Sequence, residues 1–268
     1  MGMPADLVFV RHGESEGNVA QSASRKGNNA YFTEEFRKRH SSLWRLTDKG
    51  RMQACTAGVW LRKEFSDGFF RYYTSEYLRA METAALLSFP NATWFLDILL
   101  RERDQGDMEA MPEDERRVKF PDFQRLREMD PLLWNPPSGE AVGGSVLLRA
   151  DRIIATLHRE CEGKPVVIVS HGELMWAMRV RLERMTLWDY RRLHESANPF
   201  DRIHNCQVLH YTRRNPGTGE LAPYLGWVRS VCTTDPSLSS NSWQEIHRPR
   251  FTNEELFAVA ETTKRLIV

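Results

Sequence analysis

Short apolar runs alternate with stretches in which apolar residues recur every three to four positions, so most of the chain reads strand, helix, strand. Asp6–Arg11 and Pro165–Ser170 carry the clearest runs, Leu-Val-Phe-Val and Val-Val-Ile-Val, apolar at successive positions as in a strand covered on both faces. Each run stops at His-Gly-Glu (residues 12–14 and 171–173) and hands over to a helical pattern. Further strands are predicted at 69–74 and 93–98, with a hairpin of strands near 206–213 and 222–230 around Asn215-Pro-Gly-Thr-Gly-Glu220.

Helices are predicted from near Glu14, with Ser15 in the first turn, and from Thr47 to about Phe65, where Met52, Cys55, Val59 and Trp60 fall near one face. Others are predicted at 76–88 with Ser75 as cap, at 145–161 through Val146, Leu147, Ala150, Ile153, Ile154 and Leu157, at 173–184, and at 186–195. Residues 21–45 are polar, with a short helix at 33–39, and 104–142 are irregular and proline-bearing, with helical pieces near 112–117 and 121–129. The tail, 233–268, is Ser/Pro-rich and then helical from about Thr252. The order predicts an α/β fold: three layers, α/β/α, around a mostly parallel central sheet. One domain over 1–232 should carry the chemistry, with insertions at 21–45 and 104–142 and the 233–268 extension packed on it.

Composition narrows the partners. A net charge of +1 gives no basic field for nucleic acid, so any anion site must be local. No apolar run approaches the length of a membrane span, and the first strand begins almost at once, without a leader, which makes the cytoplasm the expected location. The four cysteines, Cys55, Cys161, Cys206 and Cys232, have neither CxxC nor metal-ligand spacing and are expected as reduced thiols. No metal site and no cofactor is expected.

Ligands in open α/β sheets collect at the carboxyl ends of the strands, so His12 and His171 are candidates to face one pocket. Arg11 beside His12 suits attack on a phosphoryl group: the guanidinium neutralises the non-bridging oxygens while the neutral imidazole supplies a nucleophilic nitrogen. Gly13 lets the backbone approach a ligand, and a helix opening at Glu14 or Ser15 would aim free N–H groups at an anion. The remaining histidines, 40, 158, 194, 204, 210 and 247, show no pairing and are expected to be structural or exposed.

Leu7-Val-Phe-Val-Arg-His-Gly-Glu-Ser-Glu-Gly-Asn18 resembles the signature of the histidine phosphatase superfamily, in the branch that includes cofactor-dependent phosphoglycerate mutases. The likeness continues in order through Leu46-Thr47-x-x-Gly50-x-x-Gln53-Ala54, Thr74-Ser75-Glu76-Tyr77-Leu78-Arg79-Ala80-Met81-Glu82-Thr83-Ala84, Leu100-Arg101-Glu102 with Gly106, and Ser170-His171-Gly172. It implies a phosphoglycerate mutase-like fold in which His12 becomes phosphohistidine. Glu102 would protonate the leaving oxygen and then activate water, with Asp104, Asp107 and Glu109 nearby as alternatives for that role. Arg11, Arg79 and His171 would be catalytic and would bind phosphate together with Asn18 and Gly172.

Three departures bear on the reaction. Gly17 stands where the mutases usually carry a bulky residue and so resembles the broad-specificity phosphatases. Glu76 replaces a proline in what should be the first helical turn, and Glu82 replaces a glutamine in a change expected to be peripheral. Arg116-Arg117 lies near where mutases place an arginine pair for the substrate carboxylate. The leading expectation is therefore a metal-independent phosphomonoesterase acting on a small-molecule phosphate ester. A phosphoglycerate mutase is the alternative, and a non-catalytic phosphate-binding protein the third.

Overall fold

The computed structural model describes residues 2–240 and 242–267; Asn241 and Val268 of the C-terminal extension lie outside the described residues. In chain order the elements begin with β1 (Asp6–Arg11), α1 (Glu16–Ser24), α2 (Glu34–Lys38), α3 (Asp48–Glu64), β2 (Arg71–Thr74), α4 (Leu78–Leu86) and β3 (Trp94–Leu96). There follow α5 (Glu113–Lys119), α6 (Pro121–Met129), α7 (Leu147–Glu160), β4 (Pro165–Ser170), α8 (Gly172–Leu182) and α9 (Leu187–Glu195). The chain closes with β5 (Gln207–Thr212), β6 (Trp227–Cys232), β7 (Gln244–Glu245) and α10 (Asn253–Glu261).

The strands form one seven-stranded sheet in the order β3-β2-β4-β1-β5-β6-β7. Its first four strands are parallel, and β5, β6 and β7 extend it through antiparallel pairings. Because successive side chains of a strand point to opposite faces, Leu7 and Phe9 of β1 join Val166 and Ile168 of β4 in a core with α7 and α8. Val8 and Val10 join Val167 and Val169 in a second core with α3 and α4. Two cores on one sheet make the three expected layers.

The central strands sit in a register that decides where the chemistry goes. Arg11 pairs with Ser170, and Thr74 of β2 pairs with Val169, so β1, β4 and β2 end side by side. The ladder runs one residue further on each flank: His12 N–H donates to the Ser170 carbonyl at 2.9 Å, and Ser75 N–H to Val169 at 3.1 Å.

Several boundaries differ from the sequence pattern for identifiable reasons. Met52, Cys55 and Val59 lie on the outward face of α3, whereas Gly50, Ala54, Ala57, Gly58 and Leu61 are buried. Small residues win because α3 must approach backbone. A Cβ on Gly13 would meet the Gly50 carbonyl oxygen at 2.3 Å, and one on Gly50 would meet the Glu14 carbonyl oxygen at 2.0 Å. Helix α4 starts at Leu78 with Tyr77 at its cap, so Ser75 and Glu76 precede the helix and Ser75 does not cap it. Ser15 is the cap of α1, in a reciprocal box with Asn18, and not a first-turn residue. Strand β6 begins at Trp227, five residues later than the pattern suggested, because the chain only bridges at Arg214 and Leu221 before Pro223 interrupts pairing.

The extension adds β7 to the sheet, with Trp227 opposite Glu245, and sets the Trp243 ring 4.7 Å from that of His210. Beyond it, residues 251–267 including α10 are exposed throughout. Among the described residues no helix is long and apolar enough to cross a membrane. The reassigned face of α3 gives a direct check by urea unfolding. Ala57→Leu should cost about 1–3 kcal/mol by overpacking, and Met52→Ala should stay within about 0.5 kcal/mol.

Candidate active site

Loop 12–14 is held by hydrogen bonds that explain most of the motif residues with no obvious chemistry of their own. Gly13 N–H donates to Thr83 Oγ1 at 3.0 Å, and Glu14 N–H to Gln53 Oε1 at 2.9 Å. Thr47 N–H donates to the Glu14 carbonyl at 2.9 Å. Behind the loop, Cys206 N–H donates to the Arg11 carbonyl at 3.1 Å, and Asn205 Nδ2 to that of His12 at 3.1 Å. His12 therefore rests on fixed backbone on both sides.

Its ring is fixed as well. Nδ1 lies 2.7 Å from the Gly13 carbonyl, which can only accept, so Nδ1 carries the proton. Nε2 is left with its lone pair, and Arg79 Nε donates to it at 3.2 Å. Arg79 is anchored in turn by Nη1 donating to the Ser41 carbonyl at 2.6 Å. His12 is 2% exposed; burial, then the charges of Arg79 and Arg11, hold its pKa well below the usual histidine value.

His171 brings its ring centroid within 5.1 Å of that of His12. Its Nε2 shares a 2.8 Å hydrogen bond with Ser75 Oγ, which also accepts from Tyr77 N–H, while its buried Nδ1 has no partner. The tautomer in which Ser75 donates to Nε2 leaves Nδ1–H as an orphan donor. Burial, then Arg79 and His12, depress its pKa too. Arg11 directs Nη1 to the Ile203 carbonyl at 2.6 Å, and its Nε is likewise buried without a partner. In that tautomer two unsatisfied donors stand at adjacent strand ends and suit an anion that accepts from both. Gly172 abuts the same guanidinium, where an added Cβ would stand 3.5 Å from Arg11 Nε.

These groups lie at the floor of a cleft of about 230 Å³. His12, Asn18, Arg79 and Glu102 line it directly; Arg11, His171 and Gly172 stand behind. Asn18 Oδ1 is committed to Ser15 N–H at 3.2 Å and Asn205 Nδ2 at 3.0 Å, so only the amide nitrogen of Asn18 remains for a ligand. Glu102 Oε1 accepts from Arg103 N–H at 2.9 Å and Glu173 N–H at 3.2 Å. Burial, and next the charge of Glu173, raise its pKa above the ordinary glutamate value.

Sequence reasoning did not single out much of the outer cleft. Trp44 and Trp134 line it, as do Arg25, Arg103, Arg127, Glu173 and His194, the last expected to be structural or exposed; Glu109, one of the sequence's alternatives to Glu102, lines it too. The two insertions, 21–45 and 104–142, contribute most of this wall. Of the expected arginine pair only Arg116 enters the cleft; Arg117 faces Glu113 at 3.6 Å. Gly17 is explained by Trp44: a Cβ at 17 would meet the indole at 2.3 Å, so the space a bulky residue would fill is taken by a ring from the first insertion. Glu82 is not peripheral. It accepts from Leu46 N–H at 2.7 Å and pairs with Arg45, holding the segment that carries Trp44.

Residues 7–199 match the histidine phosphatase superfamily, branch 1. The chain belongs to that superfamily. It is 30% identical over 188 residues to a 2,3-bisphosphoglycerate-dependent phosphoglycerate mutase of Methylobacterium radiotolerans, covering 67% of this chain and 80% of that one. In fold it is similar to mycobacterial glucosyl-3-phosphoglycerate phosphatase, with TM-score 0.61, 23% identity, and 77% of this chain and 92% of that one covered. It is also similar to phosphoserine phosphatase of Entamoeba histolytica, with TM-score 0.57, 20% identity, and 79% and 92% covered. The chain is thus an enzyme of the histidine phosphatase superfamily with a mutase-like fold. Among the described residues no group of three or more His, Cys, Asp or Glu could hold a metal ion.

Imidazole ¹⁵N NMR checks the electrostatics. With folded pKa values depressed, His12 and His171 should stay neutral as pH falls through 6.5, with the His12 proton on Nδ1. Titration of either ring near the ordinary value would contradict the charge balance.

Proposed function

We propose that the protein is a metal-independent phosphomonoester hydrolase working through phosphohistidine at His12. The observation that carries this reading is the buried, neutral His12 with Nδ1 locked to a carbonyl and its Nε2 lone pair turned to Arg79 in a cleft that also holds Glu102. On binding, the phosphoryl oxygens take the donors now unsatisfied, Arg11 Nε and His171 Nδ1, together with Asn18 Nδ2 and the Arg79 guanidinium.

In the first displacement the Nε2–P bond forms as the ester P–O bond breaks, and the Glu102 proton passes to the leaving alcohol. In the second, Glu102 takes a proton from water as the new O–P bond forms and N–P breaks, releasing inorganic phosphate. Positioning and fixed positive charge around the equatorial oxygens supply most of the rate. Gly17 supports the hydrolase reading through its likeness to the broad-specificity phosphatases at that position, where Trp44 closes the space beside it.

A mutase reading has two specific supports, the curated relatives of that name and Arg116 in the cleft beside Arg25 and Arg127, where a second anion would sit. Conversion of 3-phosphoglycerate to 2-phosphoglycerate with a bisphosphate primer, faster than phosphate release, would decide for it.

The sign of the pH dependence follows from the two shifts. Activity needs His12 unprotonated, which its depressed pKa secures down to acidic pH, and Glu102 protonated, which its raised pKa extends upward from 4.5. Release of phosphate from a simple alkyl phosphate, whose leaving group needs a proton, should therefore peak on the acidic side of neutrality in excess EDTA and fall as pH rises. His12→Ala should abolish it. Loss of activity in EDTA, a rate rising toward alkaline pH, or turnover by His12→Ala would each contradict the mechanism.

A further inference from the structure

The loop that carries Glu102 has little regular structure: it follows the short turn Ile98–Leu100 and runs irregularly to Gly106. A general acid must nevertheless be held to a fraction of an ångström. The structure shows what holds it. Arg149, on the buried face of α7 and 6% exposed, sends Nη1 to the carbonyls of Leu99 and Arg101 at 2.8 Å each. Its Nη2 donates to the Glu102 carbonyl at 3.3 Å and to Glu140 Oε2 at 2.8 Å. Glu140, 8% exposed, closes the frame: Oε1 accepts from Arg101 Nη2 at 2.7 Å, and Oε2 from Asp104 N–H at 3.1 Å. Its own backbone joins in, with Glu140 N–H donating to the Asp104 carbonyl at 3.0 Å and Arg103 Nε donating to the Glu140 carbonyl at 2.6 Å. Ser170, the last residue of β4, adds its Oγ to the Leu100 carbonyl at 2.8 Å.

We propose that Arg149 and Glu140 are positioning residues for the general acid, setting the reach of Glu102 toward the leaving oxygen. The proposal rests on the reading of Glu102 given above. Neither residue lines the cleft, so neither can act on substrate directly. A buried ion pair is weak support for stability, because desolvation offsets the attraction, yet here one guanidinium binds three carbonyls of one short segment, those of Leu99, Arg101 and Glu102, and a carboxylate at once. That geometry fixes backbone on both sides of one residue, and the residue is Glu102. Lysine cannot reproduce it: its ammonium has no planar fork to span several acceptors.

The test exploits the fact that an acid matters only when the leaving group is poor. The rate of phosphoryl transfer to His12, read before the steady state, is compared for p-nitrophenyl phosphate, whose leaving group departs without a proton, and for a simple alkyl phosphate, which needs one. Variants are Glu102→Gln, Arg149→Lys and the isosteric Glu140→Gln, each checked for a cooperative thermal transition. Glu102→Gln calibrates the assay: it should slow transfer from the alkyl phosphate by about 10²-fold or more and transfer from the aryl ester far less, while turnover of both esters falls because the base for the second displacement is lost. Arg149→Lys and Glu140→Gln should show the same selectivity at smaller size, about 10-fold or more on the alkyl ester, with KM little changed. Their alkaline limb should move to lower pH as Glu102 gains water.

A Glu102→Gln variant without leaving-group selectivity would overturn the assignment of the acid itself. Selectivity in Glu102→Gln, with equal losses on both esters or none in a folded Arg149→Lys or Glu140→Gln, would overturn the positioning role alone.

Discussion

The site depends on the parallel register of β1 against β4. Arg11 opposite Ser170, continued by the His12 N–H on the Ser170 carbonyl, puts the residues that follow each strand next to one another. A slip of one residue would carry one of the two His-Gly-Glu turns to the other face of the sheet, and no pocket would form. The register is secured by the two cores, since Leu7 and Phe9 face one set of helices and Val8 and Val10 the other. Burial on both faces thus fixes the separation of two histidines that stand far apart in the chain.

Electrostatics then divides the labour. Burial, with the charges of Arg79 and Arg11, holds the pKa of both imidazoles well below the ordinary histidine value; in the proposed mechanism one then serves as nucleophile and the other as donor. The same burial works in the opposite direction on Glu102, favouring its protonated form, and Glu173 adds to it. The two shifts therefore favour, in one cleft, the unprotonated imidazole and the protonated carboxyl that the proposed mechanism needs. The outer wall is different in kind, rich in arginine and tryptophan, with Trp44, Trp134 and Arg103 themselves buried, and most of it comes from the two insertions. Under the proposed mechanism the floor serves phosphoryl chemistry in general, and the wall is where this chain can choose its substrate.

The sheet, its two covered faces and the convergence of His12 with His171 were legible in the sequence because strand ends and apolar runs leave a local trace. Asn18, Arg79 and Glu102 were legible through the resemblance. What escaped notice was interaction between distant segments. Helix α3 shows its larger apolar residues to solvent because its inner face must approach backbone at Gly13, a constraint no periodicity encodes. Ser75 read as a cap and turned out to hold His171, and His194 read as idle and lines the cleft. The pair Trp44 and Gly17 could have been suspected from an unusual glycine, but its partner is 27 positions away in an irregular segment. Nothing in the sequence sets Arg149 apart from the other arginines, and only its fork of carbonyls marks it.

The central claim is that a phosphoryl group resides covalently on His12 during turnover. Rapid acid-free quenching of enzyme mixed with excess phosphate ester, followed by intact-mass and peptide mapping, reads this directly. The phosphohistidine mechanism predicts one added phosphoryl group, on the peptide containing His12, stable to base, labile to acid, and absent from His12→Ala. Steady turnover with no phosphoryl adduct, or an adduct on another residue, would contradict it.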